Sequence, residues 1–105
     1  MITEERISTF IHSLDTGNTP FLDELEQYAV RENVPIIRPQ VQSLLRLLLA
    51  VRKPVNILEV GTAIGFSALL MSEYGPEECR ITTIEKYEKR IPLAKENFRR
   101  AGKRD

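Results

Sequence analysis

Two carboxylates and a pair of glycines are the residues of this sequence best suited to chemistry. Glu59 follows a short apolar run, and Gly61 and Gly65 bracket the turn that comes next. Glycine adopts a positive φ and lets a ligand approach the backbone closely. Because a carboxylate is costly to bury, we expect Glu59 to lie at the mouth of a strand with a partner. Glu85 ends a second strand-like run, where an acid can accept hydrogen bonds from both hydroxyls of a ribose.

The spacing of Gly61 and Gly65 differs from that of two common nucleotide-binding motifs. It is G-x-x-x-G, whereas dinucleotide-binding domains carry G-x-G-x-x-G and P-loops require Gly-Lys followed by Ser or Thr. A strand, a glycine turn and a helix in this order place a ligand at the carboxyl end of a parallel sheet. The pattern therefore favours a nucleotide-type ligand, and the alternative is an ordinary strand–helix turn.

Residues 59–68, Glu-Val-Gly-Thr-Ala-Ile-Gly-Phe-Ser-Ala, resemble the first motif of class I S-adenosylmethionine-dependent methyltransferases. More narrowly, the chain resembles the divalent-metal-dependent O-methyltransferases that include the catechol and caffeoyl-CoA enzymes. Within that family, the bacterial tRNA 5-hydroxyuridine methyltransferases look most similar. The resemblance extends from about residue 36 to the end, and more loosely over the N-terminal helices. It implies a methyl donor, S-adenosyl-L-methionine, and a Rossmann-like α/β fold.

The resemblance also implies roles in binding that donor. The turn at residues 61–65 would approach the methionine part, Ser67 would hydrogen-bond its carboxylate, and Glu59 would support the turn or meet the amino group. Glu85 would hold the ribose, unless it is only a helix N-terminal charge. Ile37 corresponds to a residue near the cofactor, although it could be a packing residue. The expected cofactor-binding residues are Ile37, Glu59, Gly61, Thr62, Ala63, Gly65, Phe66, Ser67 and Glu85.

The resemblance implies that a divalent metal, Mg²⁺ or a similar ion, activates the acceptor by lowering the pKa of its hydroxyl. In the family its Asp, Asp and Asn ligands come from the third strand onward, so we expect them in a C-terminal half beyond residue 105. We therefore assign no metal ligand and no catalytic residue, and we expect little methyl transfer from residues 1–105 alone. The acceptor stays open among a tRNA 5-hydroxyuridine, a small catechol-like compound and the phenol of a CoA thioester.

The pattern of apolar residues predicts an α/β fold that begins with three helices and continues as β-α-β-α. We expect an N-terminal helical region at 1–53 and the first unit of the donor-binding domain at 54–105, sharing one core. The apolar run at 57–60 is typical of a parallel strand covered on both faces. The sheet would be incomplete, so the chain is either the N-terminal part of a longer enzyme or the product of a truncated gene. The predicted helices span about 4–14, 20–33, 40–52, 66–74 and 87–101, and the strands about 56–60 and 79–85.

The third predicted helix is rich in leucine. Its main stripe is expected to be Val41, Leu44, Leu45 and Leu48, packed against the sheet and N-terminal helices or against a second subunit. The resemblance implies a homodimer. A second hypothesis follows, in which the chain is a non-catalytic remnant acting as a nucleotide-binding or dimerisation module. A third, weaker possibility is another Rossmann-like nucleotide protein.

Composition limits the remaining possibilities. The 105 residues suit one small domain, and the 15 basic and 15 acidic side chains give no global support for a nucleic-acid partner. Basic residues crowd positions 95–104, where they suit a helix C-terminus or, alternatively, contact RNA. The single cysteine rules out an internal disulfide and fits a reducing, cytoplasmic location, and with one histidine in the chain Cys79 is not expected to be a metal ligand or a nucleophile. Neither a signal peptide nor a membrane span is expected.

Overall fold

The computed structural model describes residues 6–7 and 18–103 of the chain. Most of the helix predicted at 4–14 lies outside these residues, although Arg6 and Ile7 are helical. β1 and β2 pair in parallel, with Asn56 opposite Arg80 and Val60 opposite Ile84. The elements in chain order are α1 (Pro20–Arg31), α2 (Pro39–Arg52), β1 (Asn56–Val60), α3 (Phe66–Tyr74), β2 (Arg80–Ile84), a 3₁₀ turn (Glu88–Arg90) and α4 (Ile91–Arg100).

Helix boundaries follow local chemistry. The Thr19 hydroxyl accepts a hydrogen bond from the Leu22 N–H at 3.3 Å and caps α1, with Pro20 in the first position. Pro39 opens α2 in the same way, and Lys53 ends it in the left-handed region with φ of 45°. The predicted bounds of these helices are confirmed to within two residues.

The last predicted helix consists of two elements in the structure, a 3₁₀ turn followed by α4. The predicted start near residue 88 is a 3₁₀ turn, and Pro92 then falls in the first turn of α4, where a missing N–H is tolerated. At the other end the Gly102 N–H donates to Arg99 O at 3.0 Å and the Lys103 N–H to Phe98 O at 2.8 Å. With φ of +75° at Gly102, this arrangement is a Schellman motif, which ends α4.

One apolar core joins the helical hairpin to the strand–turn–helix unit. α1 supplies three of its residues, and the glycine turn and α3 supply the rest. α3 is the most deeply placed helix, since its side chains at 66 and 68–71 are all buried. The core cluster consists of Leu22, Leu25, Ala29, Ile64, Phe66, Leu69 and Leu70.

The prediction that β1 is covered on both faces is wrong for the described chain. Burial alternates along both strands, with every second side chain exposed. Leu58 is 67% exposed, Val60 82% and Ile84 53%. The apolar run is the mark of a strand buried on both faces, but the helices in the described residues cover only one of them.

The expected stripe on α2 does not pack against the sheet and the helices of the described chain, and its packing against a second subunit stays a prediction. Val41, Leu44 and Leu48 are all exposed, and Leu45 is half-buried. The buried residues of the helix are Gln42 and Leu49. Leucines lie on nearly all sides of α2, so the apolar pattern alone did not define its rotation. Despite this composition, no helix in the described part of the chain is long and apolar enough to cross a membrane.

Gln42 is the polar residue that fixes the rotation of α2. It is 1% exposed, and its Nε2 donates to Glu26 Oε2 and to Ile37 O, both at 2.9 Å. Its Oε1 accepts from Asn18 Nδ2 at 2.9 Å. A buried amide left unpaired costs about 1–3 kcal/mol. The rotation that buries Gln42 is therefore the one that satisfies it.

Neighbouring leucines on α2 test this rotation. Leu49 is 5% exposed and Leu48 47% exposed. We expect Leu49→Ala to lower the free energy of unfolding by about 2–5 kcal/mol, because truncation leaves a cavity. Leu48→Ala should cost less than about 1 kcal/mol. Urea denaturation followed by circular dichroism measures both values, and equal losses would contradict the observed packing.

Candidate cofactor site at the strand ends

The two glycines of the turn are required for different reasons. Gly61 has φ of +98° and Gly65 has φ of +92°, values that favour glycine. A Cβ at Gly65 would lie 2.8 Å from Phe98 Cε1, so this position is closed by packing. A Cβ at Gly61 would meet no atom within 4 Å. The backbone at Gly61 is therefore open to a ligand, whereas Gly65 serves the contact between the turn and α4.

Ala63 is the strained residue of the turn. Its φ of 50° lies in the left-handed region, which costs a residue with a Cβ about 1–2 kcal/mol. Its N–H donates to Glu85 Oε1 at 2.7 Å, so a charged hydrogen bond from the end of β2 holds the conformation.

Both carboxylate oxygens of Glu85 accept hydrogen bonds from backbone N–H groups. Oε2 accepts from the Tyr87 N–H at 2.8 Å, while Oε1 takes the Ala63 N–H. The bonds from Tyr87 and Ala63, followed by the charge of Arg90, hold the pKa of Glu85 below its ordinary value. A carboxylate offers about four acceptor sites, so two remain for other donors. Its role as a ribose ligand stays a prediction.

Glu59 lies at the mouth of β1 within a network of hydroxyls, as predicted. Thr83 Oγ1 donates to Glu59 Oε1 at 2.7 Å, and the Ser67 hydroxyl donates to Oε2. Thr62 Oγ1 lies 2.6 Å from Thr83 Oγ1. Because the single proton of Thr83 goes to Glu59, Thr62 must donate to Thr83. The hydroxyl proton of Ser67 is already used in its hydrogen bond to Glu59.

A cavity of about 220 Å³ opens at this end of the sheet. Six of the nine expected residues line it: Ile37, Gly61, Thr62, Ala63, Phe66 and Ser67. Pro35 and Ile36 complete the wall. Three expected residues do not line it. Gly65 is covered by Phe98, Glu59 bonds to Ser67, and Glu85 lies across the turn on the Ala63 N–H.

Two buried amides that position this site were missed from sequence. Asn97 is 2% exposed, and its Nδ2 donates to Ile64 O at 2.8 Å, which fixes the turn to α4. Gln42 holds the carbonyl of Ile37 in the same manner. Asn97 follows Ala94 by three positions and so shares the apolar stripe of α4. A polar residue on such a stripe was the available signal.

Two of the basic residues near the C-terminus, Arg99 and Arg100, are paired within the protein. Arg99 Nε donates to Glu96 Oε2 at 2.9 Å. Arg100 pairs with Glu24 and stacks over the Phe21 ring at 4.8 Å from its centroid. Both arginines lie in the last turn of α4, so these contacts favour the helix-terminus interpretation over an RNA-contacting patch.

Residues 11–105 match the family model described as O-methyltransferase. A catechol O-methyltransferase from Niastella koreensis is 35% identical over 66 residues, which is 63% of this chain and 30% of that protein. The O-methyltransferase from Bacillus cereus in complex with SAH is 26% identical with a TM-score of 0.74, covering 92% of this chain and 45% of that one. An SAH-bound methyltransferase from Podospora anserina is 25% identical with a TM-score of 0.80, covering 97% and 47%.

These matches bear on the fold. The chain spans about a third of the curated relatives and a little under half of these two structures. Its helices and its parallel pair of strands match the N-terminal part of a Rossmann-like methyltransferase fold. The predicted fold class is therefore confirmed.

The lowered pKa of Glu85 gives a pH-dependent signal. A carboxyl whose pKa is lowered in the folded state stabilises the fold at pH values above its ordinary pKa. That contribution is lost as the pH falls through the lowered pKa. We expect the amide ¹H shifts of Ala63 and Tyr87 to titrate together, with one midpoint below that of an ordinary glutamate. NMR spectra across the acid range measure this.

Two variants serve as controls for that titration. Glu85→Gln should remove it from both amides, whereas Glu88→Gln, an exposed neighbour, should leave it in place. Separate midpoints for the two amides, or a shared midpoint above the ordinary glutamate value, would contradict the shared carboxylate.

Proposed function

Since this chain belongs to the O-methyltransferase family, we propose that it is the donor-binding part of an S-adenosylmethionine-dependent enzyme. Its acceptor would be a hydroxyl of a tRNA 5-hydroxyuridine or of a small catechol-like compound. The observation that carries the proposal is the cavity beside the open backbone of Gly61, lined by six residues of the expected donor site. The Bacillus cereus relative is an O-methyltransferase in complex with SAH, which supports the same donor here.

The dimensions of the cavity suggest how the donor would lie. Sites for whole ligands usually occupy about 300–1,000 Å³, so a cavity of about 220 Å³ accommodates a part of the donor. The methionine part would enter it, next to the first N–H groups of α3, which favour a carboxylate. The ribose would cross the open backbone of Gly61 toward Glu85, whose two remaining acceptor sites match two vicinal hydroxyls.

When bound, S-adenosylmethionine supplies an electrophilic methyl group on a sulfonium, which an acceptor oxygen displaces directly. The contribution of this chain is to hold the donor in line, and positioning of this kind supplies a large share of such catalysis. Glu85 would fix the ribose end, and the turn would fix the other end. The strain at Ala63 is maintained in advance by Glu85, so the site is ordered before the donor arrives.

The divalent metal stays a prediction. Within residues 6–7 and 18–103, no group of three or more His, Cys, Asp or Glu side chains lies close enough together to hold a metal ion. These residues do not fit a metal site, and we derive no step through one. Acceptor activation is accordingly assigned to no residue of this chain.

Binding of S-adenosylhomocysteine tests the donor site. Glu85→Ala removes the carboxylate that would accept both ribose hydroxyls, and hydrogen bonds to charged groups contribute about 1.5–3 kcal/mol each. We expect the dissociation constant from isothermal titration calorimetry to rise at least about tenfold. Glu88→Ala, which removes an exposed carboxylate three residues away, should leave it unchanged.

Two results would contradict the donor site. The first is the absence of binding by the folded wild-type chain. The second is unchanged affinity in a Glu85→Ala variant whose circular dichroism matches the wild type. NAD displacing S-adenosylhomocysteine would instead favour another Rossmann-like nucleotide protein.

The exposed face of α2 supports a second candidate function, self-association. Leu44 is 52% exposed, Leu47 59% and Val51 69%, and large contiguous apolar patches on a protein surface mark interaction sites. A homodimer through this face would occur with or without donor binding. It is the expected behaviour of a dimerisation module that has no catalytic role.

Sedimentation equilibrium tests this candidate. We expect the wild-type chain to dimerise and Leu44→Glu to shift it to monomer, because a buried unpaired charge is costly. Val60→Glu places the same charge on the open face of the sheet and should leave the dimer intact. A monomeric wild type, or a dimer disrupted only by Val60→Glu, would contradict an interface on α2.

A further inference from the structure

The end of β2 holds the glycine turn through three consecutive residues. Residues 83–85 each contact one of the turn residues 61–63. Two of these contacts use backbone N–H groups of the turn, and the third joins two hydroxyls. Loss of the hydroxyl contact would therefore leave the backbone of the turn held on both sides. The three contacts are Ile84 O to the Gly61 N–H at 2.7 Å, Thr83 Oγ1 to Thr62 Oγ1 at 2.6 Å, and Glu85 Oε1 to the Ala63 N–H at 2.7 Å.

Thr83 both accepts and donates a hydrogen bond. It accepts the hydroxyl proton of Thr62 and donates its own to Glu59 Oε1 at 2.7 Å. Thr62 is 5% exposed, so its hydroxyl needs a partner inside the protein. Because a hydroxyl carries a single proton, Thr83 determines where the proton of Thr62 points. Thr62 lines the cavity beside Gly61, whereas Thr83 does not.

Glu59 connects Thr83 to a second residue of the cavity wall. One oxygen of this carboxylate accepts from Thr83, and the other accepts from the Ser67 hydroxyl. Ser67 lines the cavity, as Thr62 does. Both hydroxyls of the wall are therefore oriented with the help of Thr83, Thr62 by direct contact and Ser67 through Glu59.

We propose that Thr83 is a positioning residue that sets the affinity of this site for the amino acid part of the methyl donor. It acts through Thr62, whose proton is turned away from the cavity, so that its oxygen can accept a hydrogen bond from the donor's amino group. Without the Thr83 hydroxyl, the Thr62 proton would lose its acceptor and could rotate into the cavity, where it would oppose that group. The inference rests on the proposed function and divides its site: Thr83 acts on the amino acid part and Glu85 on the ribose.

Two ligands separate these two parts of the site. S-adenosylhomocysteine carries the amino acid part, whereas methylthioadenosine retains the nucleoside and lacks it. Thr83→Val keeps the shape of the side chain and removes its hydroxyl. We expect it to raise the dissociation constant of S-adenosylhomocysteine about tenfold, the lower end of what one hydrogen bond to a charged group contributes.

The dissociation constant of methylthioadenosine should stay unchanged in Thr83→Val. The N–H groups of Gly61 and Ala63 keep their partners in this variant, so the part of the turn that the ribose would cross is still held. Glu85→Ala should instead weaken both ligands, because both carry the ribose. NMR titrations followed at the amides of Gly61 and Ala63 measure all of these affinities.

Thr82→Val is the matched control. Thr82 is the neighbouring threonine of β2, and its exposed side chain lies on the opposite face of the strand, so the same substitution there should change neither affinity. Thr83→Ser keeps the hydroxyl and should bind S-adenosylhomocysteine as the wild type does. If Thr83→Val does not fold, Thr83→Ala removes the same hydroxyl, and the same difference between the two ligands is expected.

Three results would overturn the role of Thr83. The first is an unchanged affinity of Thr83→Val for S-adenosylhomocysteine. The second is an equal loss for both ligands, which a general loosening of the turn would produce. The third is an equal loss in Thr83→Ser or Thr82→Val. In each case the wild-type chain still binds S-adenosylhomocysteine and the proposed function stands, whereas a folded wild-type chain that does not bind it overturns the proposed function and this inference together.

Discussion

The hydrogen bond between the Glu85 carboxylate and the Ala63 N–H is the constraint on which the site depends. It joins the end of β2 to the strained residue of the turn that follows β1. The parallel pairing brings these two chain segments together, because the carboxyl ends of neighbouring parallel strands lie at one edge. A single acidic side chain thereby orders the backbone that would contact a donor.

Buried amides extend this order to the rest of the fold. Asn97 fixes the turn to α4 through Ile64 O, and Gln42 fixes the segment before α2 through Ile37 O. Both side chains bond to backbone carbonyls, so they set the position of the chain whatever side chains it carries. The two walls of the cavity beside Gly61 are thus held by polar groups inside the protein, while the apolar core supplies most of the burial.

The boundaries of the elements could be predicted because short-range chemistry defines them. Thr19 with Pro20, Pro39, and Gly102 each act within one turn of a helix. The face that a helix or strand buries depends on distant partners. α2 has apolar residues on most sides, so its rotation was decided by the partners of Gln42, which lie on α1 and beyond. The sheet face at Leu58 was misjudged for a related reason, since an apolar strand does not reveal which of its faces is covered.

The network around Glu59 also gives the cavity a direction of hydrogen bonding. The hydroxyl protons of Thr62 and Ser67 point away from the cavity, toward Thr83 and Glu59. Toward the cavity, these two hydroxyls therefore present lone pairs alone. These lone pairs can accept hydrogen bonds from an ammonium group. A carboxylate at the same place would need backbone N–H groups as donors.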